Sequence, residues 1–242
     1  MLFEIIVSNW GAWAPGLTSR DDWRQWRRCL GQGESDTAPA SAAVPKPLQR
    51  RQSPLARAAL HAIGQCIAAD ESLPTVFSSA HGEIGSSLNM LESLQAGEEL
   101  SPTAFSLSVY NSIAGLFSMA YGNRNELTVI APGADGMGAG FVEALGILQE
   151  GHAEVLLVFY DERMPAFFPV APFILSQSFP CALALKLTAS GEGLALRFDK
   201  SAAARQEGEQ PLQLPLFIEF LVSDQPMLQL GDHVRGWRWR KI

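Results

Sequence analysis

Gly133, Gly136, Gly138 and Gly140 follow a run of strand-forming residues and open a helical one, where a phosphate could meet free helix N–H groups. The run has no GxGxxG spacing and no P-loop lysine, and no acidic residue closes a second strand at the distance a ribose needs. These glycines therefore read as a tight turn and a close helix–sheet approach. The histidines, His61, His81, His152 and His233, lie neither in HExxH nor at metal-ligand spacing from one another or from a cysteine. No metal and no cofactor is expected. No GxSxG elbow marks a serine nucleophile, although a triad built from distant residues would leave no local mark. Asp161 and Glu162 close the apolar run EVLLVFY, where α/β sheets often carry functional groups; a solvated strand end is preferred over acid–base chemistry. The C-terminal GWRWRKI, with Arg235 before it, sets two tryptophans among four cations. It suits a phosphate or partner contact, or a terminal strand with a basic rim.

The elements that must position these groups show in composition and period. The 242 residues, 47% apolar and 18% charged, suit a single domain spanning 1–242. A net charge of −7 argues against nucleic acid as the partner. Cys29, Cys66 and Cys181 are odd in number and widely spaced, so a reducing cytoplasm is expected. The opening apolar run contains Glu4, has no basic residues ahead of it and breaks at Gly11 and Pro15, which fits a core strand better than a signal peptide. No apolar stretch approaches the ~20 residues of a membrane span.

Residues 2–7 read as a strand, and Ser19 as the cap of a helix running to about Leu30. Residues 31–54, rich in Gly, Ser, Ala and Pro, read as a mobile loop. Helices follow on Leu60, Ile63 and Ile67, on Ile84, Leu88 and Leu91, on Val109, Ile113 and Leu116, and on Phe141, Leu145 and Leu148. Between them lie the strands TVFSS, 127–131 and EVLLVFY. This alternation predicts an α/β layer architecture with a largely parallel sheet. After Pro165, CALALKLT, LALRF and LFIEFLV read as strands without a helix between them, the first two joined as a hairpin by ASGEG.

Residues 101–162, from SPTAFSLSVYNSIAGL through TVIAPGADGMGAG to ILQEGHAEVLLVFYDE, resemble the central part of the ketosynthase family of thiolase fold. VSNWGAWAPG is similar to that family's opening strand and turn, and the likeness covers about residues 1–190. RRQSPLARAALHAIGQC and SSAHGEIGSSLNMLESLQAGEEL carry a closer likeness to short chain length factors of aryl-polyene pathways, which are type II systems resembling fatty-acid synthesis. The resemblance implies roughly the N-terminal half of a thiolase-like fold, with added β structure after Pro165.

What the resemblance implies for function turns on departures from the family. The family nucleophile is a cysteine favoured as thiolate at a helix N-terminus; the matching position here is Gly133. The family's two histidines, in GTGT-type and GFGG-type motifs, have no counterpart in this sequence. Chain length factors of aromatic polyketide systems commonly carry glutamine at the nucleophile position, and Gly133 departs from that as well. A non-enzymatic subunit is implied, paired with an active β-ketoacyl-ACP synthase through strand 127–131 and helix 108–122. By the same resemblance, Ala104, Phe105, Leu107, Ser108, Tyr110, Asn111 and Ile113 would line the interface or the partner's acyl tunnel. Acyl carrier protein would be met through the complex, with Arg50, Arg51 and Arg57 as candidate contacts. Two alternatives stay open: an autonomous acyltransferase with an unrecognised nucleophile, and a scaffold for acyl carrier protein.

Overall fold

The computed structural model of the protein describes residues 2–26, 38–165, 179–201, 213–231 and 236–242. In chain order the elements are β1 (Leu2–Trp13), α1 (Arg20–Gln25), α2 (Lys46–Gln49), α3 (Pro54–Cys66), β2 (Thr75–Ser78), α4 (Ile84–Gln95), α5 (Pro102–Ser108) and α6 (Ser112–Tyr121). There follow β3 (Leu127–Ile130), α7 (Gly136–Gln149), β4 (Glu154–Asp161), β5 (Cys181–Thr188), β6 (Leu194–Ser201), α8 (Leu214–Val222), β7 (Met227–Gly231) and β8 (Gly236–Lys241). The strands form one sheet in the order β3-β2-β4-β5-β1-β6-β8-β7. Only β3, β2 and β4 pair in parallel; every other pairing is antiparallel, so the sheet is less parallel than the sequence suggests.

Period-two alternation sorts the strand side chains between two cores. From β4, Leu157 and Phe159 join α7, α8 and Trp23 of α1 on one face. Leu156, Val158 and Tyr160 join α3 and α6 on the other. Because β4 is covered on both faces, it reads as a continuous apolar run. Each such aliphatic side chain contributes ~1.5–3 kcal/mol on full burial. On the α7 face Phe141 is the hub, with its ring 5.4–6.0 Å from those of Phe159, Phe198, Phe217 and Trp239.

Several expectations hold and several need correction. Ser19 caps α1 in a capping box with Asp22, but the helix ends at Gln25, and Leu30 lies outside the described residues. Of the loop expected at 31–54, residues 31–37 also lie outside them. The rest is partly ordered by packing, with Ala38 and Val44 buried and one helical turn at α2. LFIEFLV is not a strand. Leu214, Phe217, Ile218 and Leu221 recur at helical spacing and bury one face of α8, although Phe, Ile and Val favour strands locally. ASGEG is not a hairpin turn. Val7 pairs with Leu187 on one side and Leu194 on the other, so the segment carries the chain across β1. The helix expected at 108–122 is two helices broken at residues 109–111. Among the described residues no helix is long and apolar enough to cross a membrane.

Helix α7 lies close to the sheet because its glycines permit it. A Cβ on Gly138 would overlap the Trp237 ring, and one on Gly140 would stand 2.8 Å from Phe159. Gly146, on the same helix, has nothing within 4 Å of such an atom. Gly146→Ala should therefore raise stability by about 0.5–1 kcal/mol through helix propensity alone. Gly138→Ala should lower it by about 1–3 kcal/mol through overpacking. Urea denaturation of both variants checks the opposite signs.

Candidate functional site

The turn that follows β3 is built from backbone. Pro132 leads into a single 3₁₀ turn, Gly133–Asp135, and α7 begins at Gly136. Gly133 is exposed at φ +54, in the left-handed region that glycine enters without steric cost, and a Cβ there would meet nothing within 4 Å. The position thus faces open space and offers no reactive group. Cys66 and Cys181 are both buried. Burial pushes the Cys66 thiol up to about 12 and raises that of Cys181 as well, so both stay protonated and unreactive. Cys29 and His233 lie outside the described residues. Among the described residues no group of three His, Cys, Asp or Glu side chains is placed to hold a metal.

Asp161 and Glu162 do not form a solvated strand end. Asp161 is 8% exposed and accepts hydrogen bonds from the Ser79 hydroxyl and the Ala80 amide, both at 2.9 Å. Burial raises its carboxyl to about 7 despite those bonds. Glu162 accepts the Gly85 amide at 2.8 Å, in the first turn of α4, where a carboxylate also meets the helix dipole. Glu83, buried beside them, accepts hydroxyls from Ser53 and Ser86, and burial raises its carboxyl too. Tyr110 lies in the break between α5 and α6 and donates its hydroxyl to the Ser79 carbonyl. That hydroxyl is also 3.3 Å from the Ile130 carbonyl at the end of β3. The acids therefore staple the β2–α4 turn, and Tyr110 ties the turn to the α5–α6 break and to β3. Nothing local in the sequence singles out Ser79 or Glu83 for this role, because their partners lie far away in the chain.

The residues matched to an interface or tunnel divide by exposure. Ala104, Phe105 and Asn111 are exposed, Leu107 and Tyr110 half-buried, and Ser108 buried. Ile113 is 1% exposed and packs in the chain's own core with α3 and Phe77. It faces inward, and its place on an interface is corrected accordingly. On α4 to α6 the large apolar side chains left in solvent are Leu91 and Leu94 on α4, Phe105 on α5, Val109 in the break and Met119 on α6; Leu2, Val142, Met227 and Ile242 are exposed elsewhere. Periodicity marks α4 as a helix, but α4 buries no residue; that signal identifies the surface only once the packing is known. Beyond them β3 is an edge strand among the described residues, paired there with β2 alone. Arg50 and Arg51 are exposed and line one cavity together with Ala104 and Leu107. Arg57, half-buried on α3, is not part of it. In β8, Trp237 and Trp239 are buried, while Arg238 and Arg240 turn to Asp199. This is the terminal strand with a basic rim; Arg235 lies outside the described residues.

The model of the β-ketoacyl synthase N-terminal domain matches residues 23–240. The chain belongs to the β-ketoacyl synthase family. Its thiolase-like architecture recurs in solved structures. It is similar to a chain of the ketosynthase ApeO in complex with its chain length factor ApeC from Xenorhabdus doucetiae, at 24% identity and TM-score 0.79, covering 98% of this chain and 99% of that one. It is also similar to the ishigamide ketosynthase/chain length factor, at 13% identity and TM-score 0.61, covering 83% and 68%. A third similar structure, AntDE:AntF, is a type II acyl carrier protein complex with its ketosynthase, at 11% identity and TM-score 0.63 over the whole of both chains. At these identities the likeness establishes the fold. No curated protein matches in sequence.

Within this ketosynthase fold the Asp161 staple carries a pH signature. Its carboxyl holds its proton to about 7, against an ordinary 3.8. The folded chain therefore binds the proton more tightly, and stability falls as pH rises through that window and levels off above it. Asp161→Asn should make stability less steep between about pH 5 and about pH 7, leaving the smaller contributions of Glu83 and Glu162. Urea denaturation across that range measures the slope. An unchanged slope would show that Asp161 is ionised throughout.

Proposed function

We propose that this chain is a non-catalytic ketosynthase-like subunit of chain-length-factor type. It pairs with an active β-ketoacyl-ACP synthase in the cytoplasm, stabilises it and helps shape its acyl tunnel, in type II fatty-acid or polyketide synthesis of the aryl-polyene kind. The observation that carries this reading is Gly133: the position matched to the family nucleophile has no side chain. The burial of Cys66 and Cys181 weighs against an autonomous acyltransferase using either thiol. The ketosynthase–chain length factor complexes of the same fold support pairing, and acyl carrier protein would then reach the complex through the active partner.

The surface supports the same reading. Leu91, Leu94, Phe105, Val109 and Met119 leave apolar area in water on α4, α5 and α6, and α6 leads into the open edge of β3. An unpaired strand edge and an uncovered apolar face are each an association liability that a partner removes. Phe105, the most exposed of the matched aromatic positions, is the side chain proposed to reach the partner's tunnel.

Met119→Asp should leave the chain folded and abolish co-elution with its synthase on size-exclusion chromatography, because an interface cannot desolvate the new carboxylate cheaply. Ile113→Asp should instead lose the fold itself, seen as lost ellipticity, since Ile113 lies in the core. A folded Met119→Asp variant that still co-elutes would remove α6 from the proposed interface.

A further inference from the structure

A cavity of about 490 Å³ opens between α4, α5 and the corner that joins α2 to α3. That volume falls within the ~300–1,000 Å³ of small-molecule sites. The corner contributes Arg50 and Arg51. Among the described residues neither guanidinium makes a hydrogen bond or an ion pair. Some cations elsewhere in this acidic chain pair with carboxylates, as Lys186 does with Glu71 and Glu154, Arg197 with Glu4, and Arg238 with Asp199. Two neighbouring arginines that make no ion pair thus form a candidate anion site on this wall, with Glu99 the one acid among its lining residues.

The remaining wall sets what the anion is attached to. Met90 of α4, Leu100 ahead of α5, and Ala104 and Leu107 of α5 give apolar surface. The hydroxyls of Ser53 and Ser101 each accept an amide of their own helix's first turn, from Ala56 and Ala104 respectively, and Gln52, Asn89 and Ser93 add further neutral polar groups to the wall. The arginines are the cations of this wall, and their planar forks match carboxylate and phosphate oxygens alike. Glu99 lines the same cavity and disfavours a second negative charge on the ligand.

We infer that this cavity binds a small amphiphile with one anionic head, a carboxylate or a phosphate monoester, held by Arg50 and Arg51, with a short apolar tail against Met90, Ala104 and Leu107. Every residue named for the site belongs to this chain, and because Ala104 and Leu107 also lie on the segment proposed to meet the synthase, the test uses the chain alone.

Isothermal titration of the full chain with octanoate, octyl phosphate, octanol and octyltrimethylammonium tests it. One or both anions should bind saturably at one site, with the neutral and cationic probes at least tenfold weaker. The tighter of the two anions identifies the head group. The double variant Arg50→Gln/Arg51→Gln should lose at least tenfold in anion affinity with unchanged thermal stability, since both side chains are exposed. Ala104→Phe, which fills the cavity, should weaken binding of the same anion while leaving both arginines in place. No saturable binding of either anion, octanol binding as tightly as octanoate, or full affinity in the double arginine variant would each overturn the inference.

Discussion

The buried carboxylate of Asp161 accepts the Ser79 hydroxyl and the Ala80 amide, and so fixes where the β2–α4 turn lies against the end of β4. The arrangement of the neighbouring helices depends on that pair of bonds. Once the turn is placed, Glu162 reaches the Gly85 amide and sets the start of α4. Tyr110 then finds the Ser79 carbonyl from the α5–α6 break and comes within reach of the end of β3. A carboxylate without a cation is costly inside a protein, and here the Ser79 hydroxyl and the Ala80 amide offset that cost in part. The same acid in water would hold nothing in place. Its chemical role is therefore to position, and the elements it positions are those that reach the surface at α5, α6 and β3.

That surface has the character of an incomplete molecule. The sheet is covered on both faces over β2 and β4, yet β3 keeps one side of its ladder unpaired and α4 buries no residue of its own. Leu91 and Phe105 are 62% and 58% exposed, where folding alone gives no reason for large apolar side chains in three consecutive helices. A stable interface needs about 800 Å² from each partner, and apolar anchors of this kind typically form its centre. The proposed synthase partner would meet both needs at once, closing the strand edge and desolvating the helices. Gly133 adds the chemical half of the argument: its turn keeps the backbone course of a strand-to-helix connection but has no atom to acylate.

Much of this architecture was legible in the sequence, and the misses have a common cause. Helices α3 and α7 and strands β2 and β4 show because each buries one face, or both, at its own period, while α4 shows by its period alone and β3 by its β-branched residues. The position of Gly133 shows because strand, glycine turn and helix follow one another locally. What failed depends on contacts between distant residues. The break at residues 109–111 coincides with Tyr110 meeting Ser79, thirty-one positions away. The hairpin reading of ASGEG failed because β1, at the other end of the chain, occupies the place between β5 and β6. α8 was misread because nine largely apolar residues rich in Phe, Ile and Val satisfy either period. Ile113 was expected on a surface but lies in the core, since helical spacing tells which residues lie together and not which neighbour they meet. Asp161 looked solvated because the turn that buries it lies eighty-two residues earlier.

The central claim is that the chain contributes no nucleophile, and intact-mass spectrometry tests it most directly. The purified chain and its synthase partner would be incubated together with acyl and malonyl carrier protein and the two subunits weighed separately. The account predicts an acyl thioester on the partner and an unmodified mass for this chain. A stoichiometric acyl adduct on Cys29, Cys66 or Cys181 of this chain would contradict it.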